Sequence, residues 1–326
     1  MRFGFAGTPD FGACVLRDLL ERGRRPELVI SQPTRPRGRG RKMVDSPVAV
    51  VAADEALPLL TPADINSAEI LEEIAALRID YLVVAAFGQL FKQNLLDCVP
   101  CINVHASLLP YYRGAAPIHW ALRNGETQTG VSIMRVIPAL DAGPVAARVC
   151  MSISLRDDAG SIGRALALLG ALATDQVLQG LEDGTVRWEE QPAESTYAPK
   201  VSAGDRRLNL SAPSLECHNL VRSLVPDSAA EVWKADTVLK VWRTWPWMEP
   251  SYERDDVPTE ARTAWGEPGR VATSRHRGGR LFFGCGEGLL EILAVQPAGR
   301  RAMSAGDFLR GYGSRLPEFF DLPSAP

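Results

Sequence analysis

Short apolar runs alternate with longer amphipathic segments over the first two hundred residues of the chain. Apolar runs that predict buried strands lie at 2–7, 27–31, 58–60, 80–86, 101–104, 130–136 and 144–152. Segments with helical spacing of apolar residues lie at 10–22, 48–55, 67–77, 117–123 and 159–181. Alternation of strand and helix at this spacing is typical of βαβ units, so this part of the chain predicts an α/β fold on a parallel sheet.

The pattern changes after residue 189. Residues 189–205 have no periodicity and are the best candidate for a linker, with an irregular loop also predicted at 32–47. A helix at 214–224 then precedes short β-rich runs separated by turns, at 238–242, 269–272 and 289–293. This second pattern predicts a small β-barrel or sandwich.

Composition limits the classes of protein to consider. The chain has 326 residues, 46% hydrophobic and 23% charged, which is typical of a globular protein with two domains. No run approaches the ~20 apolar residues of a membrane span, so no membrane association is expected. Six scattered cysteines favour a reducing compartment over a disulfide framework. The net charge is −3, so any nucleic-acid binding would need a local basic patch.

Polar residues follow the apolar run at 101–104 where a parallel strand would end. Asn103 and His105 are two residues apart and therefore point to the same side of a strand. Asp141 follows in a turn bounded by proline and glycine. Asn, His and Asp can supply an oxyanion donor, a proton carrier and an orienting carboxylate, which predicts an acyl-transfer site. The other histidines, at positions 119, 218 and 276, have no comparable polar neighbours.

Two other motifs are weaker indications of a functional site. Cys98 and Cys101 are separated like a zinc or redox pair, but no second pair completes four zinc ligands, and Cys101 opens a strand. We therefore interpret both as structural and predict no metal. The turn at 7–10 follows the first strand but lacks the full glycine fingerprint of a dinucleotide site, so it predicts a tight βα turn.

A basic segment lies at residues 35–42. It carries five positive charges: Arg35, Arg37, Arg39, Arg41 and Lys42. No acidic residue interrupts it before Asp45, and two glycines let its backbone approach a surface closely. A solvated loop and a contact with phosphates are both compatible with this composition.

Together these motifs resemble the methionyl-tRNA formyltransferases, within the 10-formyltetrahydrofolate-dependent formyltransferases. The matching stretches lie at 5–11, 32–42, 103–110, 113–118, 129–134, 140–143, 293–299 and 303–309. The Asn-x-His-x-Ser-Leu-Leu-Pro stretch with its downstream Asp is shared by all enzymes that use this formyl donor. The basic segment and the C-terminal β-rich part resemble the tRNA enzyme specifically.

The resemblance implies a fold and an activity. It implies a Rossmann-like, catalytic formyltransferase domain at 1–190, a linker at 191–204, and an OB-like β-barrel domain that binds tRNA at 205–326. The implied reaction (EC 2.1.2.9) moves the formyl group of 10-formyltetrahydrofolate to the amino group of methionine on initiator methionyl-tRNA. Initiator methionyl-tRNA and folate are the expected partners of a cytoplasmic monomer.

The resemblance also implies roles for residues. The catalytic residues would be Asn103, His105 and Asp141. The residues at the donor site would be Ser107, Leu108, Leu109 and Pro110 with Phe87, Gly88, Gln89 and Leu90, together with backbone at 138–140. The basic segment would bind tRNA through Arg35, Arg37, Arg39, Arg41 and Lys42.

The chain departs from the family pattern where tRNA docking is concerned. The family's Asn-Pro-Trp-Pro-like stretch is replaced at 224–228, an Ile-Asp-Trp-like run is replaced at 208–210, and residue 92 is Lys where proline is common. Residues 205–326 hold 16 Lys and Arg against 16 Asp and Glu.

One alternative is a sugar-nucleotide N-formyltransferase, which leaves the basic segment without a role. A binding module with a decayed active site is another, and the intact trio argues against it.

Overall fold

The computed structural model describes residues 1–37, 42–248, 257–275 and 278–322. Within these ranges, no helix combines the length and the apolar composition that crossing a membrane requires. The chain divides into two compact units. The first comprises Met1–Pro117, Gln128–Ser152 and Ser161–Pro199, and the second comprises Ile118–Thr127, Ile153–Gly160 and Lys200–Pro326. The domain bounds at 190 and 205 stay a prediction.

The elements before residue 200 follow the alternation in the sequence. The strands are β1 (Phe3–Gly7), β2 (Leu28–Ile30), β3 (Arg35–Arg37), β4 (Lys42–Val44), β5 (Leu59–Leu60), β6 (Tyr81–Ala85), β7 (Cys101–His105), β8 (Arg113–Gly114), β9 (Gln128–Arg135), β10 (Val145–Ser152) and β11 (Tyr197–Ala198). The helices are α1 (Asp10–Glu21), α2 (Pro47–Asp54), α3 (Ala68–Leu77), α4 (Gln93–Cys98), α5 (Pro117–Arg123) and α6 (Ala159–Glu182).

The first unit is built on a seven-stranded sheet with the order β10-β9-β7-β6-β1-β2-β5. The five strands from β7 to β5 are parallel. Strand β9 runs antiparallel to β7, and β10 runs antiparallel to β9. The predicted parallel α/β sheet is therefore confirmed, with one strand of opposite direction next to β7.

Helices cover both faces of this sheet, and the strands are apolar on both sides as a result. On one face, Ile102 and Val104 of β7 belong to a buried cluster that includes side chains of α1, α2 and α6. On the other face, Cys101 belongs to a cluster that includes side chains of α3 and α4. Asn103 and His105 share the Cys101 side of β7 by strand alternation, and they lie at its carboxyl end.

The basic segment differs from its prediction. The pattern predicts an irregular loop at 32–47, whereas β3 and β4 pair as an antiparallel ribbon, with Arg35 opposite Val44 and Arg37 opposite Lys42. At its base, Thr34 Oγ1 donates to Asp45 Oδ1 at 2.8 Å. The ribbon is held by backbone hydrogen bonds, which need no alternation of apolar side chains, so the pattern gave no signal. Residues 38–41 lie outside the described residues.

The second unit contains an antiparallel sheet. Its strands are β12 (Ala230–Lys234), β13 (Thr237–Trp247), β14 (Val271–Ser274), β15 (Arg280–Gly284), β16 (Leu289–Pro297) and β17 (Met303–Ser304), and its helices after residue 200 include α7 (Ser214–Leu224) and α8 (Ala305–Tyr312). The order is β12-β13-β16-β15-β14, with β17 paired to β16. Side chains from α7, α8 and the strands form one buried core.

The end of the chain closes this sheet. The carbonyl oxygen of Glu318 accepts from Val271 N in β14, and Asp321 N donates to the carbonyl oxygen of Trp233 in β12, both at 2.8 Å. Residues 318–321 thereby bridge the two edge strands and close the sheet into a barrel. The predicted C-terminal barrel is confirmed.

Helix α8 is absent from the sequence prediction, which identifies α7 as the one helix in this part. The Ser304 hydroxyl accepts a hydrogen bond from Asp307 N at 3.1 Å, so the helix has a capped start. A serine followed three residues later by an acidic residue was the available signal. The short length of α8, Ala305–Tyr312, made its periodicity hard to recognise.

Candidate active site

The loops after β1, β2 and β6 are tied together at the carboxyl edge of the parallel sheet. Thr8 Oγ1 and Gln32 Nε2 each donate to the carbonyl oxygen of Phe87 at 2.9 Å. Gly88 has a φ of +82°, and a Cβ there would lie 2.8 Å from Gln32 Nε2. The turn at 87–90, predicted to meet the formyl donor, is therefore fixed by its neighbours and requires glycine.

The side chains of this turn have different environments. Phe87 is buried in the core, whereas Leu90 is 77% exposed. The Gln89 amide anchors the turn, since its Oε1 accepts from Ile65 N at 2.9 Å and its Nε2 donates to the carbonyl of Pro62 at 3.3 Å. The backbone at Gly88 and the side chain of Leu90 are what this turn offers to a ligand.

Residues 107–110, the second predicted donor-binding stretch, follow β7 and are held by hydrogen bonds. The buried Ser107 hydroxyl donates to the carbonyl of Tyr111 at 2.6 Å. Ser132 Oγ donates to the carbonyl of Ser107 at 2.7 Å and accepts from Leu109 N at 3.0 Å. The Ser107 hydroxyl thus orders the turn, and the half-buried Leu108 and Pro110 are its more accessible side chains.

Asn103 and His105 differ in how their polar atoms are engaged. The half-buried Asn103 amide forms no hydrogen bond with any described residue. His105 is 5% exposed, and its Nε2 lies 3.0 Å from the carbonyl oxygen of Tyr112. A carbonyl only accepts, so Nε2 carries the proton in this geometry and Nδ1 of the neutral ring is the basic atom. Nδ1 lies 3.7 Å from Asp141 Oδ2.

Asp141 reaches His105 along the face of the sheet. Because β9 is antiparallel to β7, its following loop begins beside the start of β7, where Val136 N donates to the carbonyl of Cys101 at 2.8 Å. The loop then runs the length of β7, roughly 13 Å, to bring Asp141 to His105. Gly114 N donates to Asp141 Oδ2 at 2.9 Å and holds the carboxylate there.

Gln191 is a residue of the site that sequence reasoning missed. Its Nε2 donates to the carbonyl oxygens of Asp141 at 2.9 Å and Gly143 at 2.7 Å. Its Oε1 accepts from Arg113 Nε at 3.0 Å and Nη2 at 2.7 Å. Gln191 lies in the stretch predicted as linker, where no motif marks it. The pairing of β11 with β8 ties the same stretch to Arg113.

The cysteine pair has no features of a metal site. All six cysteines are free thiols. Burial raises the pKa of Cys101 to about 12, and burial also raises the pKa of Cys98. Metals bind the thiolate, which these shifts disfavour. Across the described ranges, no group of three or more His, Cys, Asp and Glu side chains could hold a metal ion.

The basic segment is only partly described. Arg35 is exposed, and its Nη2 donates to Gln32 Oε1, so it contacts the residue that holds the Phe87 carbonyl. The backbone of Arg37 and Lys42 lies in the β3–β4 ribbon. Arg39 and Arg41, predicted to bind tRNA, lie outside the described residues.

Residues 1–177 match the model of the formyl transferase family, and residues 200–313 match that of the formyl transferase C-terminal domain. The chain is 39% identical to a methionyl-tRNA formyltransferase of Geobacter metallireducens over 311 residues, which cover 94% of each chain.

Solved structures share the fold at lower identity. An N-formyltransferase of Helicobacter canadensis, solved with folinic acid and dTDP-3-aminofucose, has a TM-score of 0.63 at 16% identity. The aligned region covers 90% of this chain and 98% of that enzyme. HypX of Aquifex aeolicus has a TM-score of 0.64 at 15% identity over 98% of this chain, which spans 48% of HypX. At these identities the likeness shows the fold alone.

Proposed function

The chain belongs to the formyl transferase family, in its methionyl-tRNA formyltransferase branch, and from this we propose its reaction. It transfers the formyl group of 10-formyltetrahydrofolate to the free amino group of methionine on initiator methionyl-tRNA, which supplies N-formylmethionyl-tRNA for translation initiation. The observation that carries the proposal is the open Asn103 amide beside the His105–Asp141 pair, on a chain that matches a methionyl-tRNA formyltransferase over 94% of its length.

The open Asn103 amide fits a role in stabilising developing charge. The donor supplies a formyl group attached to a weakly basic aryl amine, so no metal is needed to activate the leaving group. When an amine attacks this group, negative charge grows on the formyl oxygen. Asn103 donates a hydrogen bond to that oxygen, an interaction worth about 3 kcal/mol. The N–H of His105 is engaged by Tyr112, which leaves Asn103 as the donor of the pair.

His105 accepts the proton that the attacking amine must lose. The proton arrives at Nδ1, because Nε2 already donates to the Tyr112 carbonyl. The imidazolium that forms stands beside Asp141, whose carboxylate compensates its charge. Gly114 and Gln191 keep Asp141 in place, and the leaving nitrogen recovers a proton from the same ring.

The donor is assigned to the loops at the carboxyl edge, where ligands of parallel sheets bind. Residues 107–110, 87–90 and 138–140 contribute to its site in this proposal. The fixed turn at Gly88 and the accessible Leu108 and Pro110 support the assignment, while Phe87, Gln89 and the Ser107 hydroxyl act as supports of these loops.

We assign the basic segment to tRNA binding, with Arg39 as its most important contact. The segment follows β2, whose carboxyl end lies on the same edge as that of β7. Three phosphate contacts would make log Kd depend on log salt with a slope of about 2, at ~0.7 per contact. Arg39→Ala is expected to weaken formylation of charged tRNA strongly, and Arg39→Lys to restore part of it, because a guanidinium binds phosphate in a fork.

We assign catalysis to the first part of the chain and tRNA binding to the barrel, in a cytoplasmic monomer without membrane contact. Charged initiator tRNA, the proposed acceptor, is a cytoplasmic substrate, which supports this location. Gel filtration at micromolar concentration tests the monomer, and a mass near 71 kDa, twice that of the 35.5 kDa chain, would contradict it.

The activity is tested with purified protein, 10-formyltetrahydrofolate and charged initiator tRNA. Formylmethionine should appear after hydrolysis of the tRNA ester. Charged elongator methionine tRNA and dTDP-3-aminofucose are the control acceptors. Formylation of the amino sugar in place of the tRNA would replace this proposal with the sugar-nucleotide alternative.

A further inference from the structure

A cavity of about 360 Å³ lies in the second unit, between α7, β13 and residues 155–158. Its volume is within the range of small-ligand pockets. Six of the twelve residues that line it are basic or aromatic: Arg156, Arg222, Arg243, Trp242, Trp245 and His218. We call it the Arg-Trp cavity. None of its residues takes part in the formyl-transfer site described above.

Arg222 is a buried cation with one nitrogen left over. It is 6% exposed, and its Nη1 donates to the carbonyls of Ser154 at 2.8 Å and Asp157 at 3.3 Å, while Nε donates to Asn219 Oδ1 at 2.9 Å. Nη2 forms no hydrogen bond with a described residue. Burial lowers the pKa of this guanidinium, and the charge of Asp157 only partly opposes the shift. An anion in the cavity would compensate this charge.

The charges around Arg222 also favour an anion. Arg156 and Arg243 line the cavity and are exposed, whereas Asp158 is the carboxylate of the lining. His218 is neutral near pH 7, because burial lowers its pKa to about 4. Three guanidinium groups and one carboxylate give the lining a net charge of +2. The cavity is thus a local basic patch in a region whose overall charge is zero.

Aromatic rings stand beside these cations. The ring of Trp245 is half-buried, with Arg156 Cζ 6.0 Å from its centroid and the His218 ring edge-on at 6.2 Å. Trp242 Nε1 donates to Gln296 Oε1 at 3.0 Å, which holds the second indole. Bases of single-stranded RNA stack on aromatic side chains and on guanidinium planes. A phosphate site next to an indole therefore fits a nucleotide better than a simple anion.

We propose that the Arg-Trp cavity binds one nucleotide of the substrate tRNA, with its phosphate at Arg222 and Arg156 and its base against Trp245. The inference rests on the proposed function and names a contact through which the second unit holds the acceptor. Arg243 is exposed and also lines the cavity, and we assign it to the phosphate of a neighbouring nucleotide, which a free mononucleotide would not supply.

The test uses the whole chain with three cavity variants and one control variant. Trp245→Ala should raise KM for charged initiator tRNA about tenfold or more through lost stacking, and Trp245→Phe should restore most of it. Arg156→Ala should raise the same KM and reduce the salt slope by about one phosphate contact. Arg222 is left intact because Nη1 also holds two carbonyls of the fold. Exposed Arg301→Ala, in the same unit, is the charge-matched control and should change neither quantity.

The outcomes separate this inference from the proposed function. If the wild type formylates charged tRNA and all cavity variants behave like Arg301→Ala, the cavity is not an RNA site and the activity stands. If the wild type does not formylate, the proposed function fails, and weaker binding of labelled tRNA by Trp245→Ala and Arg156→Ala than by Arg301→Ala, measured by fluorescence anisotropy, still supports the cavity as an RNA site. Saturable binding of AMP that Trp245→Ala abolishes, with unchanged tRNA binding, would assign the cavity to a free nucleotide and overturn the RNA assignment. Matching melting temperatures exclude misfolding as the cause of a loss.

Discussion

Each unit contains a buried histidine, and only one of them stands beside a carboxylate. His105 in the first unit is 5% exposed and His218 in the second is 4% exposed. The Nε2 of each ring faces a backbone carbonyl, that of Tyr112 and that of Leu155 respectively. The Nδ1 of His105 faces Asp141, whereas the Nδ1 of His218 takes a hydrogen bond from the Thr244 hydroxyl at 2.9 Å.

Burial and hydrogen-bond count therefore do not distinguish a proton carrier from a structural histidine. The partner of the second nitrogen does. A carboxylate can compensate the imidazolium, while a hydroxyl cannot, and nearby Arg222 disfavours a second positive charge on His218. His218 is a neutral connector between α7, β13 and residues 153–160, and the carboxylate beside His105 supports its proposed role as the proton carrier.

The largest effect is expected from removing the pair itself. His105→Ala and Asp141→Asn should each lower kcat at least ~100-fold, because the amine loses its proton acceptor or the acceptor loses its countercharge. Steady-state kinetics with charged initiator tRNA measure this, with folate binding as the control that should change little. Near-normal turnover of either variant would remove the distinction drawn between the two histidines.

A variant of Asn103 tests whether this residue, on the same face of β7 as His105, stabilises the negative charge on the formyl oxygen. Asn103→Ala should lower kcat by about 100-fold through loss of one hydrogen bond to the formyl oxygen. Single-turnover rates at saturating donor separate this loss from weaker binding. A change confined to KM for folate would make Asn103 a binding residue.

We expect His218 to make the free energy of unfolding depend on pH in the acid range. Its pKa is lowered to about 4 in the folded state, against 6.5 as the ordinary value, so the unfolded chain binds the proton first as pH falls. The contribution of neutral His218 to the free energy of unfolding is therefore complete above pH 6.5. It decreases by about 3 kcal/mol as the pH falls from 6.5 to about 4. Urea unfolding of the wild type and of His218→Gln at pH 7, 5.5 and 4 measures the difference. Equal pH dependence of the two proteins would contradict the assignment.

The smallest effect is expected from the support of Asp141. Gln191→Ala removes two hydrogen bonds to the loop carbonyls. We expect kcat to fall about tenfold, or ~1.4 kcal/mol, which is less than the full ~1 kcal/mol per bond because Gly114 still holds the loop. Gln191→Glu is a useful companion, since its carboxylate cannot donate to these carbonyls and would repel Asp141. A kcat equal to wild type in both variants would show that Gly114 alone positions the carboxylate.

The sequence by itself determined much of the local structure, and it led to the proposal of Asn103, His105 and Asp141 as the catalytic residues. Apolar runs and helical spacing predicted β1, β6, β7, α5 and α7. They could do so because burial of one face or both faces of an element imposes a regular pattern of apolar residues within a short stretch of sequence. Two-residue spacing placed Asn103 and His105 on one face of β7 for the same reason. The family resemblance rested on contiguous motifs and is confirmed over nearly the whole chain.

Only the tertiary structure decided how distant residues meet. The turn containing Asp141 leaves the sheet beside Cys101, and the packing of its loop along β7 brings the carboxylate to His105. Gln191 reaches the same loop from a stretch without periodicity, and the cavity around Arg222 joins residues more than sixty positions apart. Such contacts depend on loop paths and on side chains that meet across the fold, and no local period in the chain encodes them.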